Sequence, residues 1–319
     1  MKFPIRLFPE NTHLDFVALR LPAFVVTLLM VLGTIVLLYT HGINYGTDFK
    51  GGILIEARSP LDIDVGKLRE TLNSLNLGNV ELQEFGSKND VLIRVQKQEG
   101  GDAEQNAAVA KVRDTMGSSY EYRRVEVVGP RVGEELRRSA VIALLSAMAC
   151  IGLYVAVRFE WQFGVAAMVA TFHDVFVTVG LYSILQLEFD LTAVAALLTL
   201  AGYSLNDTVV VFDRIRENLR KNKSTTLKTI INDAINQTLS RTLMTSLTTL
   251  VAIVPLVLMG GSALFNFSVA ITWGIVVGTF SSIYVAASLL LYMKPLRGIP
   301  SGIGKTTEPA APLETKREG

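Results

Sequence analysis

The chain has one cysteine, three histidines and two tryptophans among 319 residues, and only 18% of its residues are charged. A single cysteine, Cys150, excludes an internal disulfide and a metal site built from cysteines. The net charge of +1 and the lack of a basic stripe with interleaved aromatic residues give no indication of a nucleic-acid partner. Half of the residues are hydrophobic, and this balance departs from that of ordinary soluble domains.

The apolar residues form six runs, each near the roughly 20 residues that a helix needs to cross a bilayer. No small-residue cleavage site follows the first run, so we predict a retained helix there and not a signal peptide. The six predicted transmembrane helices cover residues 21–39, 139–157, 163–185, 191–212, 239–259 and 267–293.

Lysine and arginine are distributed unevenly among the connections between these runs. Residues 214–228 contain six of them and the tail 294–319 contains five, whereas the loops 186–189 and 260–266 contain none. Short segments rich in Lys and Arg stay in the cytoplasm. The pattern therefore predicts that both termini of a multi-pass plasma-membrane protein are cytoplasmic.

In this topology the N-terminal segment 1–20 and the flexible tail 294–319 are cytoplasmic, and residues 40–138 form an exported, periplasmic domain. Residues 224–238 combine a polar composition with apolar residues at helical spacing. This pattern predicts an amphipathic helix that lies on the inner membrane surface and contacts lipid.

The exported segment alternates between strand and helix patterns in the order βαββαβ, which predicts a ferredoxin-like α+β domain. Its second and third strands, at 80–85 and 90–96, are joined by "GSKND" (86–90), a predicted turn. Residues 51–129 contain no cysteine, histidine or paired-carboxylate cluster suited to catalysis. The domain is expected to bind or move something, with a rigid cap that only packs against a partner as an equally supported alternative.

The fourth run carries an aspartate, Asp207, directly after Asn206 and one turn beyond Tyr203. It lies about 25 Å along the helix, in the inner half of the bilayer. Ionisable residues at that depth are costly and are usually functional. Thr199, Gly202, Asn206 and Asp213 share one helix face and form a small and polar stripe.

The fifth run begins with Arg241, followed by Thr245 and Thr248 on the same face. Because the fourth and fifth helices are antiparallel neighbours, we expect Asp207 and Arg241 to meet at similar depth and to form an ion pair. The alternative is that Arg241 and Asp213 extend to the headgroups. That alternative is favoured for Asp213.

Two further features lie in the third and sixth runs. His173 and Asp174 lie near the midplane, where packing or helix locking and proton relay are equally supported roles. Small residues recur every fourth position in the sixth run and predict a close-packing helix face. With the two polar stripes, this face offers more interior surface than six helices need, which predicts one half of a pseudo-symmetric bundle. The small residues are Ala270, Gly274, Gly278, Ser282 and Ala286.

Four segments together resemble the SecF branch of the bacterial SecD/SecF protein-export family, within the resistance-nodulation-division superfamily. The resemblance extends over residues 20–295 and implies a polytopic α-helical protein that couples proton entry to movement of exported domains. It also implies that Asp207 and Asn206 form the intramembrane acidic site and that Arg241 is the arginine of the fifth helix. The segments are "GTDFKGG" (46–52), "TFHDVFVTVG" (171–180), "GYSLNDTVVVFDRIREN" (202–218) and "SRTLMTS" (240–246).

The resemblance further implies a non-enzymatic subunit that promotes late steps of protein translocation, with protons as coupling ion and no other cofactor. Its implied partners are SecD, YajC, SecY, SecE, SecG, YidC and the exported preprotein. Two alternatives are one half of a proton-coupled solute exporter and a passive scaffold. A solute exporter should carry two six-helix halves, and a scaffold has no need of a buried charge pair.

Overall fold

The computed structural model describes residues 12–293 apart from residues 79, 86 and 223. The first eleven residues of the predicted segment 1–20 and the predicted tail 294–319 lie outside the described residues. In chain order the elements are α1 (Arg20–Thr40), α2 (Thr47–Lys50), β1 (Gly52–Arg58), α3 (Val65–Asn73), β2 (Val80–Phe85), β3 (Ser87–Val95), α4 (Asp102–Met116), β4 (Glu121–Val128), α5 (Pro130–Arg158), α6 (Trp161–Leu185), α7 (Leu191–Lys221), α8 (Leu227–Met259) and α9 (Gly261–Ser281).

Six helices in the described part of the chain are long and apolar enough to cross a membrane: α1, α5, α6, α7, α8, and α9 with its continuation to Tyr292. The continuation is a π-helix (Ser282–Ala286), a short helix α10 (Ala287–Leu289) and a 3-10 turn (Leu290–Tyr292). At least half of the apolar stretch of α6, α7 and α9 is buried inside the bundle, whereas the apolar stretches of α1, α5 and α8 are mostly exposed. The predicted class, six membrane helices with one α+β domain between the first and second, is confirmed.

Small residues allow the three central helices to approach closely. A Cβ added at Gly274 of α9 would collide with Leu200 of α7, and one at Gly180 of α6 would collide with Thr34 of α1. Close approach of helix backbones increases dispersion contacts, the main attraction between helices in a bilayer. The sequence of the central helices therefore explains their position.

The amphipathic pattern of residues 224–238 predicted a separate helix on the membrane surface, but no separate helix forms there. Residues 227–238 instead belong to a longer element. They are the first turns of the continuous 33-residue helix α8. Their apolar residues, Ile230, Ile231 and Ala234, are buried in a core shared with Phe212 and Ile215 of α7. The amphipathic pattern was correctly recognised, but its apolar face packs against protein and not against lipid.

The α+β domain is a four-stranded antiparallel sheet with the strand order β2-β3-β1-β4. Helices α3 and α4 cover one face, and their apolar residues join those of the strands in one core. The predicted five-residue turn is wrong, because β3 already begins at Ser87 and pairs there with Phe85. At Gly52 a left-handed φ of 130° and the carbonyl of Val95, 2.7 Å from an added Cβ, exclude a side chain.

The domain is held on the bundle by the loop between α6 and α7. The backbone N–H of Gly46 donates to the carbonyl of Phe189 at 2.9 Å, and the N–H of Phe189 donates to the carbonyl of Asn44 at 2.8 Å. Arg94 of β3 forms an ion pair with Glu188 of the loop. Burial raises the pKa of the Glu188 carboxyl above its usual value, and Arg94 opposes this shift. These contacts connect the sheet directly to the start of α7.

Candidate functional site

Helix α7 lies between two different environments inside the bundle. Ser204 and Thr208 are four residues apart, so they lie on one face, and both contact α6 or α9. Asp207 lies on the adjoining face and turns toward α8, where Thr245 is its neighbour. One helix thus carries a serine–threonine face and a buried carboxylate directed to different neighbours.

Asp207 is only 3% exposed but has few hydrogen-bond donors. The Thr245 hydroxyl lies 3.4 Å from Asp207 Oδ1, yet the same hydroxyl donates to the carbonyl of Thr242 at 2.8 Å. Because a hydroxyl has a single proton, the shorter bond leaves little for the carboxylate. Asp207 Oδ2 is buried without a hydrogen-bond partner. Little in the single chain therefore stabilises a charge on this side chain.

The predicted ion pair between Asp207 and Arg241 is not formed in the structure. Arg241 is exposed and makes no ion pair within 4.0 Å with any described carboxylate. It lines a cavity of about 410 Å³ at the end of the bundle opposite the α+β domain, together with Asp213 and Glu217. The prediction judged depth from helix length alone. Arg241 precedes Thr245, the actual neighbour of Asp207, by a full turn toward that end.

The polar stripe of α7 is exposed in the single chain, since Thr199, Gly202, Asn206 and Asp213 all face outward. On α8, Arg241 and the side chains that follow it on its face are exposed or half-buried. Tyr203, which packs with the core at the domain end of the bundle, has a buried hydroxyl without a partner. The face shared by α7 and α8 therefore exposes polar groups, for which the lipid tails of a bilayer would provide no hydrogen-bond partners.

His173 and Asp174 lie in a second polar cluster, in which both Asp174 oxygens have partners and His173 Nε2 is buried without one. Asp174 is fully buried, and its carboxylate accepts hydrogen bonds from Ser204 Oγ of α7 at 2.5 Å and Ser281 Oγ of α9 at 2.6 Å. The His173 Nδ1 atom lies 2.9 Å from Asp174 Oδ1. Ser282, the first residue of the π-helix that follows α9, adds a contact of 2.9 Å with Thr208 of α7. This cluster joins three helices at the centre of the bundle.

The small residues of α9 face the interior of the chain itself. A Cβ at Gly278 would lie 3.2 Å from Ser204 Cβ and 3.6 Å from Asp174 Oδ2, and Gly274 faces Leu200. Ser282 is fully buried. The expectation that this face belongs to the surplus surface of a half-bundle is therefore wrong. The surface that remains unused by the six helices is the polar stripe of α7 with its neighbour α8.

The sequence reasoning missed Ser204, Thr208 and Ser281 as members of a polar cluster. A serine or threonine in an apolar helix most often bonds to a carbonyl of its own helix, and nothing local distinguishes these three. Ser204 stands two residues before Asn206 and Ser281 next to Ser282, so each lay beside a residue that was identified. No group of three or more His, Cys, Asp or Glu residues in the described part of the chain could hold a metal ion.

Two protein families match the chain. The family described as protein export membrane protein SecD/SecF, C-terminal, matches residues 108–295, which include the buried carboxylates. The family described as SecD/SecF GG motif matches residues 36–59, which include the constrained Gly52. The two matches together extend from the end of α1 through the last membrane helix.

Among known proteins, the protein translocase subunit SecF of Magnetococcus marinus is 45% identical over 296 residues, covering 91% of this chain and 95% of that protein. SecF of Vibrio alginolyticus is 43% identical over 299 residues, with 93% and 92% covered. The crystal structure of SecDF from Thermus thermophilus, a translocon-associated membrane protein, is similar with a TM-score of 0.79 and 38% identity. It covers 90% of this chain, which spans only 39% of that longer SecDF chain.

A second SecDF structure, in a super-membrane-facing form, has a TM-score of 0.66 and 37% identity to this chain. Fold, matched residues and identity agree with one another over most of the sequence. The chain therefore belongs to the SecD/SecF family of protein-export membrane proteins, with the SecF translocase subunits as its relatives, and its six apolar helices make it a multi-pass inner-membrane protein with an accessory role in protein export.

Proposed function

We propose that the chain uses the proton-motive force to promote late steps of protein translocation, with Asp207 as the carboxylate that accepts and releases the proton. The observation that carries this proposal is the burial of Asp207 with one oxygen unpartnered and the other held only by a shared hydroxyl. A membrane carboxylate with so few donors gains little from staying charged. Asn206 and Arg241 act with it, Asn206 beside it and Arg241 as the nearby cation.

The proposal includes assembly with a second six-helix half, SecD. Support comes from the exposed stripe on α7, because polar side chains such as Asn206 and Thr199 are unfavourable against lipid tails. The similar SecDF chain is also more than twice as long as the part that this chain spans. In the complex, the partner half covers the stripe and brings further polar groups close to Asp207 and Arg241.

We further infer the orientation and the wider set of partners. Both termini and residues 214–238 are cytoplasmic, by the uneven distribution of Lys and Arg, and the α+β domain is exported. Protonation of Asp207 shifts α7, and the loop that joins α7 to the domain transmits the shift. Each proton that moves down a potential of 100 mV releases about 2.3 kcal/mol. The exported preprotein, SecY, SecE, SecG, YajC and YidC are the partners expected in this role.

The solute-exporter alternative is less favoured, because the relatives of the chain are protein translocase subunits and not solute exporters. The scaffold alternative requires a membrane-buried carboxylate that does nothing. It predicts that an isosteric amide at position 207 works as well as the acid. This difference separates the two hypotheses experimentally.

The test is the rate at which a preprotein completes translocation into inverted membrane vesicles, with and without an uncoupler. Asp207→Asn keeps the size and hydrogen-bonding ability of the side chain but cannot change charge. We expect it to lose the proton-dependent stage, so that the uncoupler has little further effect, while the complex still assembles. Asp213→Asn, one exposed carboxylate of the same helix, is the matched control and should stay near wild type. An Asp207→Asn protein as fast and as uncoupler-sensitive as wild type would exclude the proton role.

A further inference from the structure

We propose that Asp174 is a positioning residue for Asp207: by holding Ser204 of α7 and Ser281 of α9, it fixes the rotation of α7 that directs Asp207 toward α8. The inference deepens the proposed function, on which its meaning for export rests. Asp174 touches neither the exported chain nor Asp207. It acts through the helix that carries Asp207.

The contacts of Asp174 come from all three central helices. Oδ2 accepts two hydroxyl hydrogen bonds, at 2.5 Å from Ser204 and 2.6 Å from Ser281, and Oδ1 lies 2.9 Å from the ring nitrogen of His173. Hydrogen bonds to an ionised carboxylate are about twice as strong as those between neutral groups. Inside a bilayer no water competes for them. A buried carboxylate with two hydroxyl donors and a neighbouring imidazole therefore makes a directional connection between the helices.

The rotation of α7 is fixed at two points and not at one. Ser204 is held by Asp174, and Thr208, one turn further along the same face, contacts Ser282 Oγ at 2.9 Å. Asp207 lies between these two residues in sequence, on the adjoining face. Any rotation of α7 that moved Asp207 away from Thr245 would have to break both connections.

The backbone of α9 is irregular at the point where it meets this face. Its regular helix ends at Ser281, and a π-helical turn begins at Ser282. Side chains of consecutive helical residues point about 100° apart, and these two serines contact different helices, α6 through Asp174 and α7 through Thr208. Single π-helical turns are frequent at functional sites. The irregularity coincides with the two serines that hold α6 and α7.

The test measures how accessible the Asp207 carboxyl group is to a reagent, which changes when α7 rotates. A hydrophobic carbodiimide reacts with protonated carboxyl groups inside membranes, and mass spectrometry of the purified full chain, reconstituted with SecD, gives the initial labelling rate at Asp207. We expect Asp174→Asn and Ser204→Ala to raise that rate at least about fivefold, since each removes a charge-assisted bond that limits rotation. Ser204→Thr keeps the hydroxyl and should label like wild type.

Thr178→Val is the matched control for loss of a buried hydroxyl. Thr178 is fully buried on α6, one turn after Asp174, and its hydroxyl bonds only to the Asp174 carbonyl of its own helix. In Thr178→Val, the labelling rate at Asp207 should equal that of wild type. If Asp174→Asn does not fold, Ser204→Ala alone decides. Labelling of Ser204→Ala within about twofold of wild type, or an equal increase in Thr178→Val, would overturn the proposal.

The labelling result is independent of export. Faster labelling in Ser204→Ala together with normal export by Asp207→Asn would support the positioning role and exclude the proton role. Normal labelling in Ser204→Ala together with failed export by Asp207→Asn would do the reverse.

Discussion

Asp174 and Asp207 are two buried aspartates of the same helix bundle, and their surroundings differ completely. Asp174 accepts hydrogen bonds from two serine hydroxyls and contacts a histidine ring, whereas Asp207 has one shared hydroxyl and an oxygen with no partner. A fully satisfied polar group makes a structure rigid, while an unsatisfied one is costly unless a partner or a proton satisfies it. The two residues are both buried, so burial does not distinguish them. Their hydrogen bonds do, and they favour a positioning role for Asp174 and a proton-accepting role for Asp207.

The same contrast separates two faces of α7. The face toward α6 and α9 is packed and paired within the chain. The face that carries Thr199 and Asn206 is exposed and polar, and it lies beside the exposed Arg241 end of α8. Stability thus comes from the first face, and the proposed function and assembly depend on the second. Substitutions on the two faces should therefore affect different measurements.

The largest effect is expected for Arg241. Arg241→Met removes the cation that lies one turn of α8 before Thr245, the neighbour of Asp207. It should slow the proton-dependent stage of translocation by about tenfold, which corresponds to roughly 1.4 kcal/mol. Arg241→Lys keeps the charge but loses the planar fork that fits a carboxylate, so its effect should be smaller. Arg158→Met, which lines the same cavity, is the control. Equal rates for Arg241→Met and Arg158→Met would remove Arg241 from the mechanism.

An intermediate effect is expected for assembly. Gly202 lies on the exposed stripe of α7, and a Cβ there would meet nothing within 4 Å in the chain. Gly202→Leu should leave the isolated chain stable but lower the amount of SecD that copurifies with it several-fold, because the larger side chain separates two packed helices. Gly33→Leu is the control, since Gly33 is an equally open glycine on the exposed helix α1. Equal recovery of SecD with both variants would place the partner elsewhere.

The smallest effect is expected for thermal stability. Here Asp174→Asn should be the more damaging of the two aspartate variants, whereas Asp207→Asn should be the more damaging one for export. Asp174→Asn replaces a carboxylate that holds two serines and should lower the melting temperature of the detergent-purified chain by about 3 °C or more. Asp207→Asn removes an acid with little support and should leave the melting temperature unchanged or raise it. Differential scanning fluorimetry of the two variants checks this order. A larger loss for Asp207→Asn than for Asp174→Asn would contradict the contrast between the two sites.

Local sequence patterns predicted the helices and strands well, but they predicted poorly which residues of different elements contact each other. Apolar runs indicated all six membrane helices, and alternation indicated a βαββαβ domain, because burial in lipid or in a sheet imposes a period on the sequence. The pairing of Asp207 with Arg241 could not be predicted in this way. It depends on the relative rotation and shift of α7 and α8, which place Thr245 and not Arg241 beside Asp207. For the same reason the apolar face of residues 227–238 was assigned to lipid, although α7 covers it.

The docking contacts of the α+β domain were missed for a related reason. The loop at 186–189 was informative in the sequence only for its lack of basic residues. In the folded chain, Glu188 forms an ion pair with Arg94, and the carbonyl of Phe189 accepts a hydrogen bond from the N–H of Gly46. Such long-range contacts have no local periodicity.

Infrared difference spectroscopy of the chain reconstituted with SecD tests whether Asp207 is the carboxylate that exchanges the proton. Protonated carboxyl groups absorb separately from carboxylates, so a rise in pH should remove a carboxyl band from the wild-type spectrum. We expect this band to be absent in Asp207→Asn and retained in Asp174→Asn. A band that persists in Asp207→Asn, or that disappears only in Asp174→Asn, would contradict this expectation.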